Sequence, residues 1–150
     1  LVREMNGHWN YDEELLLTEE FDPEQYFGFV YRITRKETGR SYIGKKQLFS
    51  VHRKRVAGRT NRKRVRKESK WRTYTGSCEE LNKEIKTLGK GEFDFEILKF
   101  CLTKRDLGYT ETMYQFKEDV LDARFDNGLR KYYNSNIMNR WFAQKENDEN

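Results

Sequence analysis

Hydrophobic and aromatic residues cluster in three short stretches of the chain that favour β-strands. Residues 26–34 are rich in aromatic and β-branched side chains, as strands are. The polar stretch 35–40 contains Gly39, which tolerates a positive φ, so we expect a hairpin turn there and a returning strand at 41–44. Residues 93–97 alternate strictly between apolar and acidic side chains, which predicts a third strand.

Two other stretches show helical spacing. The run 77–80 fits a capping box between Ser77 and Glu80, and Gly89 stands where a helix beginning there should end. The apolar stripe of this predicted helix consists of Leu81, Ile85 and Leu88. A second capping box at 103–106 predicts a longer helix that runs to about residue 122.

Between these elements the apolar signal fades. Residues 45–72 are dominated by basic side chains, and we expect a short helix and a mobile loop there because Gly58, Thr60 and Asn61 interrupt the run. The stretch from 124 onwards resembles a loop. The order of elements predicts an α+β fold in which a three-stranded antiparallel sheet is flanked by helices, with a β-β-α-β-α core.

Charge is distributed very unevenly along the 150 residues. Residues 1–25 have a net charge of −7, residues 32–72 have +15, and residues 73–150 have −3. A basic block of this density in an otherwise acidic chain indicates a polyanionic partner, and nucleic acid is the obvious candidate. We therefore divide the chain into an acidic arm (1–25), a domain (26–137) with a basic insertion (45–72), and a tail (138–150).

Composition excludes several other classes of protein. No stretch approaches the about 20 consecutive apolar residues that a membrane-spanning helix needs, and the first residues do not resemble a signal or transit peptide. Cys78 and Cys101 have no neighbouring cysteine or histidine cluster, so a structural zinc site is not expected. We expect a reduced intracellular setting, the cytoplasm of a bacterial or phage-infected host.

Five candidate features lie in the predicted hairpin and beyond it. Gly28-Phe29-Val30-Tyr31 lies in the first strand and Ser41-Tyr42-Ile43-Gly44 in the second, with eleven residues from Tyr31 to Tyr42. Glu111 lies in the long helix, and Tyr133-Asn134 follows it. The stretch 71–77, which includes Tyr74, precedes the first capped helix.

In this order and context, these motifs resemble the GIY-YIG nuclease family over roughly 26–137, and the stretch 71–77 resembles its phage-borne, homing-endonuclease-like members. The Tyr42-Ile43-Gly44 element is a literal match, whereas Phe29-Val30-Tyr31 stands in place of the usual Gly-Ile-Tyr. The resemblance implies a metal-dependent DNA endonuclease. Asn136-Ile137 is an alternative to Tyr133-Asn134 for the terminal motif.

The resemblance also implies roles for these residues. Glu111 would be the protein ligand of a single Mg²⁺ or Mn²⁺ ion, Tyr31 would take the proton from water, and Tyr42 would hold water or phosphate. Tyr74 would replace the usual histidine, and Asn134 would support the site.

The family also uses an arginine to bind the phosphate, since a guanidinium binds phosphate in a bidentate manner. Arg53 lies one residue from the family position, and Arg72, close to Tyr74, is the alternative. Further cations expected to bind DNA are Lys45, Lys46, Arg55, Arg62, Lys63, Arg64, Arg66, Lys67 and Arg72. We expect the basic segment to lie along the DNA backbone and to supply affinity rather than sequence choice.

Each feature taken alone has an ordinary explanation: a core tyrosine, a solvated glutamate, a turn asparagine or a flexible basic loop. Two rival functions follow. One is a non-catalytic basic nucleic-acid-binding protein with a vestigial nuclease site, and the other is a structural or host-interaction protein. One active site cuts one strand at a time, so a double-strand break would require a homodimer, a second visit or a protein partner.

Overall fold

The computed structural model describes residues 7–16 and 19–144. Its two α-helices and nine strands in these ranges are, in chain order, β1 (Asn10–Tyr11), β2 (Glu14–Leu15), β3 (Gly28–Arg35), β4 (Ser41–Gln47), β5 (Phe49–Lys54), β6 (Lys63–Glu68), α1 (Glu79–Leu88), β7 (Phe93–Cys101), α2 (Lys104–Lys117), β8 (Asn136–Ile137) and β9 (Trp141–Phe142). Short 3-10 helices lie at Pro23–Gln25, Trp71–Thr73 and Lys90–Glu92.

The main sheet is mixed and has the strand order β2-β1-β7-β3-β4. Its three long strands, β7, β3 and β4, are antiparallel neighbours, while β1 pairs in parallel with β7. The predicted α+β class is confirmed, but the sheet has five strands instead of three. The sequence did not indicate the two additional strands because each has only two residues within the acidic arm, and β1 is held by β7, some 85 residues away in the chain.

The strand β3, which lies between β7 and β4, is buried on both faces. Phe29 and Ile33 pack in one apolar cluster with Leu81 of α1, whereas Val30 packs in another with Leu107 of α2. Successive side chains of a strand point to opposite faces, so the two helices cover the two faces of the sheet. Flanking helices were predicted, and the structure confirms them.

Part of the acidic arm contributes to the core. Trp9 is 1% exposed, and its indole Nε1 donates a hydrogen bond to the carbonyl of Trp71 at 2.6 Å. Leu16 packs partly against the same cluster, whereas Leu15 is exposed and Leu17 lies outside the described residues.

The basic segment differs from its prediction. It forms a second antiparallel hairpin, β5–β6, with register from Phe49↔Glu68 to Lys54↔Lys63, and not a short helix followed by a mobile loop. The pairing satisfies backbone donors and acceptors in both strands, and Gly58 adopts a φ of +81° in the connection. The many charges hid the strand signal, because lysine and arginine give no apolar alternation.

The helix boundaries are partly as predicted. Gly89 ends α1, and its N–H donates to the carbonyl of Ile85. The capping box at 77–80 is wrong, since Cys78 is the N-cap residue and no side chain caps the helix. Thr103 caps α2 as predicted, accepting from the Asp106 N–H at 3.0 Å. This helix ends at Lys117 rather than near 122, because Asp119 adopts a left-handed φ of +53°.

The chain after α2 returns to the edge of β4. The Ser41 N–H donates to the carbonyl of Lys131, and the Tyr133 N–H donates to the carbonyl of Ser41. Tyr133 and Ile137 are buried, whereas Trp141 remains exposed. This return places residues 133–139 beside β4.

Neither helix within the described residues combines the length and the apolar composition needed to cross a bilayer.

Candidate active site

A cleft of about 680 Å³ lies where β4, the start of α1, α2 and the chain 133–139 meet. Its walls bear hydroxyl, amide, carboxylate and ammonium groups. The lining residues with such groups are Tyr42, Lys45, Ser77, Glu79, Glu111, Thr112, Gln115, Tyr133, Asn134, Ser135, Asn136 and Asn139.

Glu111 is the carboxylate of the cleft that belongs to α2. Its side chain is 18% exposed, and its Oε1 lies 3.7 Å from the ammonium of Lys45 on β4. Burial raises the pKa of Glu111 above its ordinary value, and Lys45 opposes that shift. The carboxylate is therefore partly desolvated and faces the Lys45 ammonium. This arrangement favours the binding of a further cation.

Three tyrosines pack together where the core meets the cleft. The ring of Tyr31 lies 6.2 Å from that of Tyr42 and 6.0 Å from that of Tyr74, between centroids. Tyr42 lines the cleft, with its hydroxyl 3.4 Å from the Ser77 hydroxyl. Tyr31 lies behind it and is 1% exposed. The structure therefore brings the two predicted tyrosines of the hairpin together and adds Tyr74 beside them.

Two glycines make room for the hydroxyl of Tyr31. A Cβ at Gly44 would lie 2.5 Å from this oxygen, and one at Gly76 would lie 3.3 Å from it. Gly76 also adopts a φ of +89°, which side-chain-bearing residues rarely tolerate. The phenol oxygen is thus enclosed by the backbone of β4 on one side and of the chain before α1 on the other.

The environment of the tyrosines favours their neutral forms. Burial raises the pKa of Tyr31 well above its ordinary value, and the nearby phenols and the Glu111 carboxylate raise it further. Burial also raises the pKa of Tyr42. Both are therefore phenols, not phenolates, at neutral pH in the protein alone.

Asn134 fixes the position of β4. Its Oδ1 accepts from the Ile43 N–H at 3.1 Å, and its Nδ2 donates to the Ile43 carbonyl at 2.8 Å. Gln115 of α2 donates to the same carbonyl at 3.1 Å. These bonds satisfy the outer edge of β4 between Tyr42 and Gly44. Asn136, of the alternative alignment, lines the cleft and accepts from the Asn139 N–H.

The predicted phosphate-binding arginines lie elsewhere. Arg53 is exposed on β5, opposite Arg64, and does not line the cleft. Arg72 also does not line it, since its guanidinium pairs with Glu68 and lies over the Trp71 ring, 4.7 Å from the centroid.

The other predicted DNA-binding cations fall into two groups. Lys45 lines the cleft, and the ammonium of Lys46 lies 4.2 Å from the centroid of the Tyr74 ring. The remaining residues lie on the β5–β6 hairpin and its connection: Arg55, Lys63, Arg62, Arg64, Arg66 and Lys67.

Sequence reasoning missed Gln115 and Gly76. Gln115 stands four residues after Glu111, and residues at this spacing share one face of a helix, so its position was a usable signal. Gly76 lies within the quoted stretch 71–77, but its contact with Tyr31 depends on pairing across the fold and has no local signature.

A larger cleft, of about 1060 Å³, lies between the β3–β4 turn and the chain 125–130. Its charged groups are largely paired with one another: Arg35 binds Glu84 at 3.0 Å, and Arg40 binds Glu80 at 3.0 Å. The Glu111 cleft, where a carboxylate, an ammonium and a phenol converge, is therefore the candidate active site.

Comparison with known protein families matches residues 9–137 to the family model described as "Putative endonuclease segE, GIY-YIG domain". Comparisons with curated proteins and with solved structures give no match. The matched range includes Trp9 in the core as well as Tyr31, Tyr42, Glu111 and Asn134. Because this family model covers most of the chain, the protein belongs to the GIY-YIG endonuclease family, whose characteristic domain is a nuclease domain.

Proposed function

We propose that the protein hydrolyses phosphodiester bonds of DNA at the Glu111 cleft with the help of one divalent metal ion, Mg²⁺ or Mn²⁺. The observation that supports this most is the convergence of Glu111, Lys45 and Tyr42 in one open cleft. A carboxylate binds a metal ion, an ammonium binds a phosphate oxygen, and a phenol hydrogen-bonds water or phosphate. Phosphodiester hydrolysis requires these three tasks.

The donor set fits a hard metal ion that keeps most of its own water. Mg²⁺ is usually bound by one or two carboxylates together with substrate phosphate. Glu79 also lines the cleft, but we assign the ion to Glu111 alone, because Glu111 is the partly buried carboxylate that faces Lys45. When bound, such an ion acts as a Lewis acid toward the phosphate and the leaving oxygen.

We assign different tasks to the two hairpin tyrosines. Tyr42 lines the cleft, so its hydroxyl is placed to hold water or phosphate. We assign to Tyr31 the task of accepting the proton from the attacking water. Burial raises the pKa of Tyr31, so this task requires a cation near the cleft to favour the phenolate.

Phosphate binding inside the cleft is assigned to Lys45, which already lies 3.7 Å from Glu111. Arg53, the candidate from sequence spacing, is on β5 and would contact DNA away from the cleft. We propose that Arg72 and Lys46 contact the DNA backbone beside Tyr74. Tyr74 itself would position Tyr31. We propose that Asn134 acts through β4, by holding the strand that bears Tyr42 and Lys45.

A single cleft of this kind cuts one strand in each encounter. The proposed product is therefore a nick, and a double-strand break would require a homodimer, a second encounter or a protein partner.

The decisive experiment is to incubate supercoiled plasmid with purified protein in Mg²⁺ and in EDTA. Wild type should nick the plasmid only with the metal, and Glu111→Ala should lose nicking while its DNA affinity stays within a few fold. Glu92→Ala is the matched control, because Glu92 is exposed and does not line the cleft. Full activity of Glu111→Ala would remove the metal-site assignment. Tight binding without nicking by wild type would instead favour the non-catalytic nucleic-acid-binding function.

A further inference from the structure

The β5–β6 hairpin places its arginines and its lysines on different faces. Directly opposite residues of an antiparallel pair point to the same face, and neighbours along a strand point to opposite faces. One face, the arginine face, therefore contains the pair Phe49↔Glu68 at the root and then the pairs Val51↔Arg66 and Arg53↔Arg64. The other, the lysine face, contains the pairs Ser50↔Lys67, His52↔Val65 and Lys54↔Lys63.

The root of this hairpin is fixed to the domain. Leu48, between β4 and β5, is fully buried, and its carbonyl accepts from the Ser69 N–H at 2.8 Å. The guanidinium of Arg66 lies 3.6 Å from the centroid of the Phe49 ring and pairs with Glu24 at 3.0 Å. The hairpin therefore continues directly from β4, the strand that bears Tyr42 and Lys45.

The distal half of the hairpin has uncompensated charge. Arg53 lies opposite Arg64, Lys54 lies opposite Lys63, and all four are exposed. Within the part of the chain that the structure describes, Arg53 and Arg64 form no ion pair and no side-chain hydrogen bond. Like charges directly opposite in a sheet are destabilising, and a polyanion would relieve that repulsion.

A two-stranded ribbon has the dimensions of the DNA major groove, and several DNA-binding proteins use one there. Arginine is the side chain that most often recognises a base directly, through two hydrogen bonds to O6 and N7 of guanine. Lysine, a point charge, suits the phosphates that border the groove. The arginine face suits the floor of the groove, and the long lysine side chains of the opposite face can bend around the strand edges toward the phosphates that border it.

We infer that the hairpin enters the major groove of duplex DNA and that Arg53 and Arg64 recognise guanine there, while the lysine face contacts phosphates. The inference rests on the proposed function, because the duplex is the one cut at the Glu111 cleft. It gives the basic segment a role in sequence choice, contrary to the expectation that it supplies affinity alone.

The test is selection of bound duplexes from a pool with a randomised centre, in EDTA so that no strand is cut. Wild type should select guanine at one or two positions. The double variant Arg53→Gln/Arg64→Gln removes both guanidinium groups and should lose that preference, with affinity for the selected duplex falling by about 5- to 150-fold for each guanine that is no longer recognised. Replacing the selected guanines with 7-deazaguanine, which lacks the N7 acceptor, should weaken wild type but not this variant.

The lysine face supplies the contrasting variant. Lys54→Gln/Lys63→Gln should keep the guanine preference and make the slope of log affinity against log salt shallower by about two units. A guanine preference that survives in Arg53→Gln/Arg64→Gln overturns the inference. The inference also fails if the wild-type protein selects no guanine, or if it binds single strands as tightly as duplex. Guanine selection by a protein that never nicks plasmid overturns the proposed function alone, and nicking without any base preference overturns only the inference.

Discussion

The hydroxyl of Tyr31 occupies the space in which any residue other than glycine at position 44 would place its Cβ. That Cβ would lie 2.5 Å from Oη and 2.7 Å from Cζ of Tyr31, and 2.9 Å from Cε2 of Tyr42. Tyr31 and Gly44 are direct neighbours across the β3–β4 hairpin. The glycine of Tyr42-Ile43-Gly44 therefore makes room for the tyrosine of the adjacent strand.

Gly44→Ala should damage both the stability and the activity of the protein. The ring of Tyr31 is fully buried and cannot move without displacing core neighbours, so overpacking should cost about 1–3 kcal/mol of the free energy of unfolding. Displacement of the phenol should also reduce nicking. Urea unfolding and plasmid nicking measure the two effects. Gly91→Ala is the matched control, since a Cβ there meets no atom within 4 Å. Equal behaviour of the two variants would show that the space at Gly44 is not restricted.

Tyr31→Phe and Tyr42→Phe should each slow cleavage by about a hundredfold or more, the scale expected when an acid–base or hydrogen-bonding group is removed. Both substitutions keep the ring and remove only the hydroxyl, so packing should persist, and we expect the larger effect for Tyr31. Single-turnover nicking at saturating DNA is the measurement, with Tyr109→Phe as the control because Tyr109 is 60% exposed. Near-normal rates in both variants would reduce the two tyrosines to core residues.

His8 should make the folded state sensitive to acid. Its Nε2 hydrogen-bonds the Tyr74 carbonyl at 2.7 Å, and its ring lies 4.0 Å from that of Phe95 between centroids. Burial lowers the pKa of His8 from 6.5 to about 4, so the folded state favours the neutral imidazole. The stability that this provides is fully present above about pH 6.5 and is lost as pH falls toward 4. Over the whole window the loss amounts to about 3 kcal/mol.

Urea unfolding at about pH 7.5 and about pH 5 measures this contribution, which should shrink by about 2 kcal/mol between them. His8→Gln keeps a donor for the Tyr74 carbonyl and does not titrate, so its stability should depend less on pH by that amount. The carboxylates titrate alike in both proteins, so their contributions cancel when the pH dependence of the variant is subtracted from that of wild type. If the stabilities of wild type and variant depended identically on pH, the His8 ring would be exposed to solvent and not buried.

The local sequence pattern was sufficient to predict the hairpin that bears Tyr31 and Tyr42, because runs of aromatic and β-branched residues and a turn glycine are all local signals. The cap at Thr103 also placed α2, and with it Glu111, correctly. Lys45 was named as a cation near Gly44, and its approach to Glu111 follows from the packing of α2 on β4.

Interactions between distant parts of the chain were not predictable in the same way. Trp9 forms a hydrogen bond with Trp71, which lies 62 positions away in the chain, and no periodicity within the acidic arm indicates such a partner. The position of Arg53 was inferred by counting residues from Tyr42, which assumes that a helix follows the strand. After β4 the chain instead forms the β5–β6 hairpin, so the residue found by this count, Arg53, lies on an exposed strand.

Neutralising the second half of the basic hairpin should weaken DNA binding in a salt-dependent way and leave the chemical step intact. The variant replaces five cations with glutamine: Arg62, Lys63, Arg64, Arg66 and Lys67. Each cation that no longer binds a phosphate should make the slope of log affinity against log salt shallower by about 0.9, so the loss of Arg62, Lys63 and Lys67 amounts to roughly three units. The loss of Arg64, which we assign to guanine, should in addition weaken binding to the guanine-containing site. Arg66 should contribute least, because it already pairs with Glu24. The cleavage rate at saturating DNA should remain close to that of wild type, since Glu111 and Tyr42 line a separate cleft. Titrations at several salt concentrations give the slope, and an unchanged slope would show that the hairpin does not touch DNA.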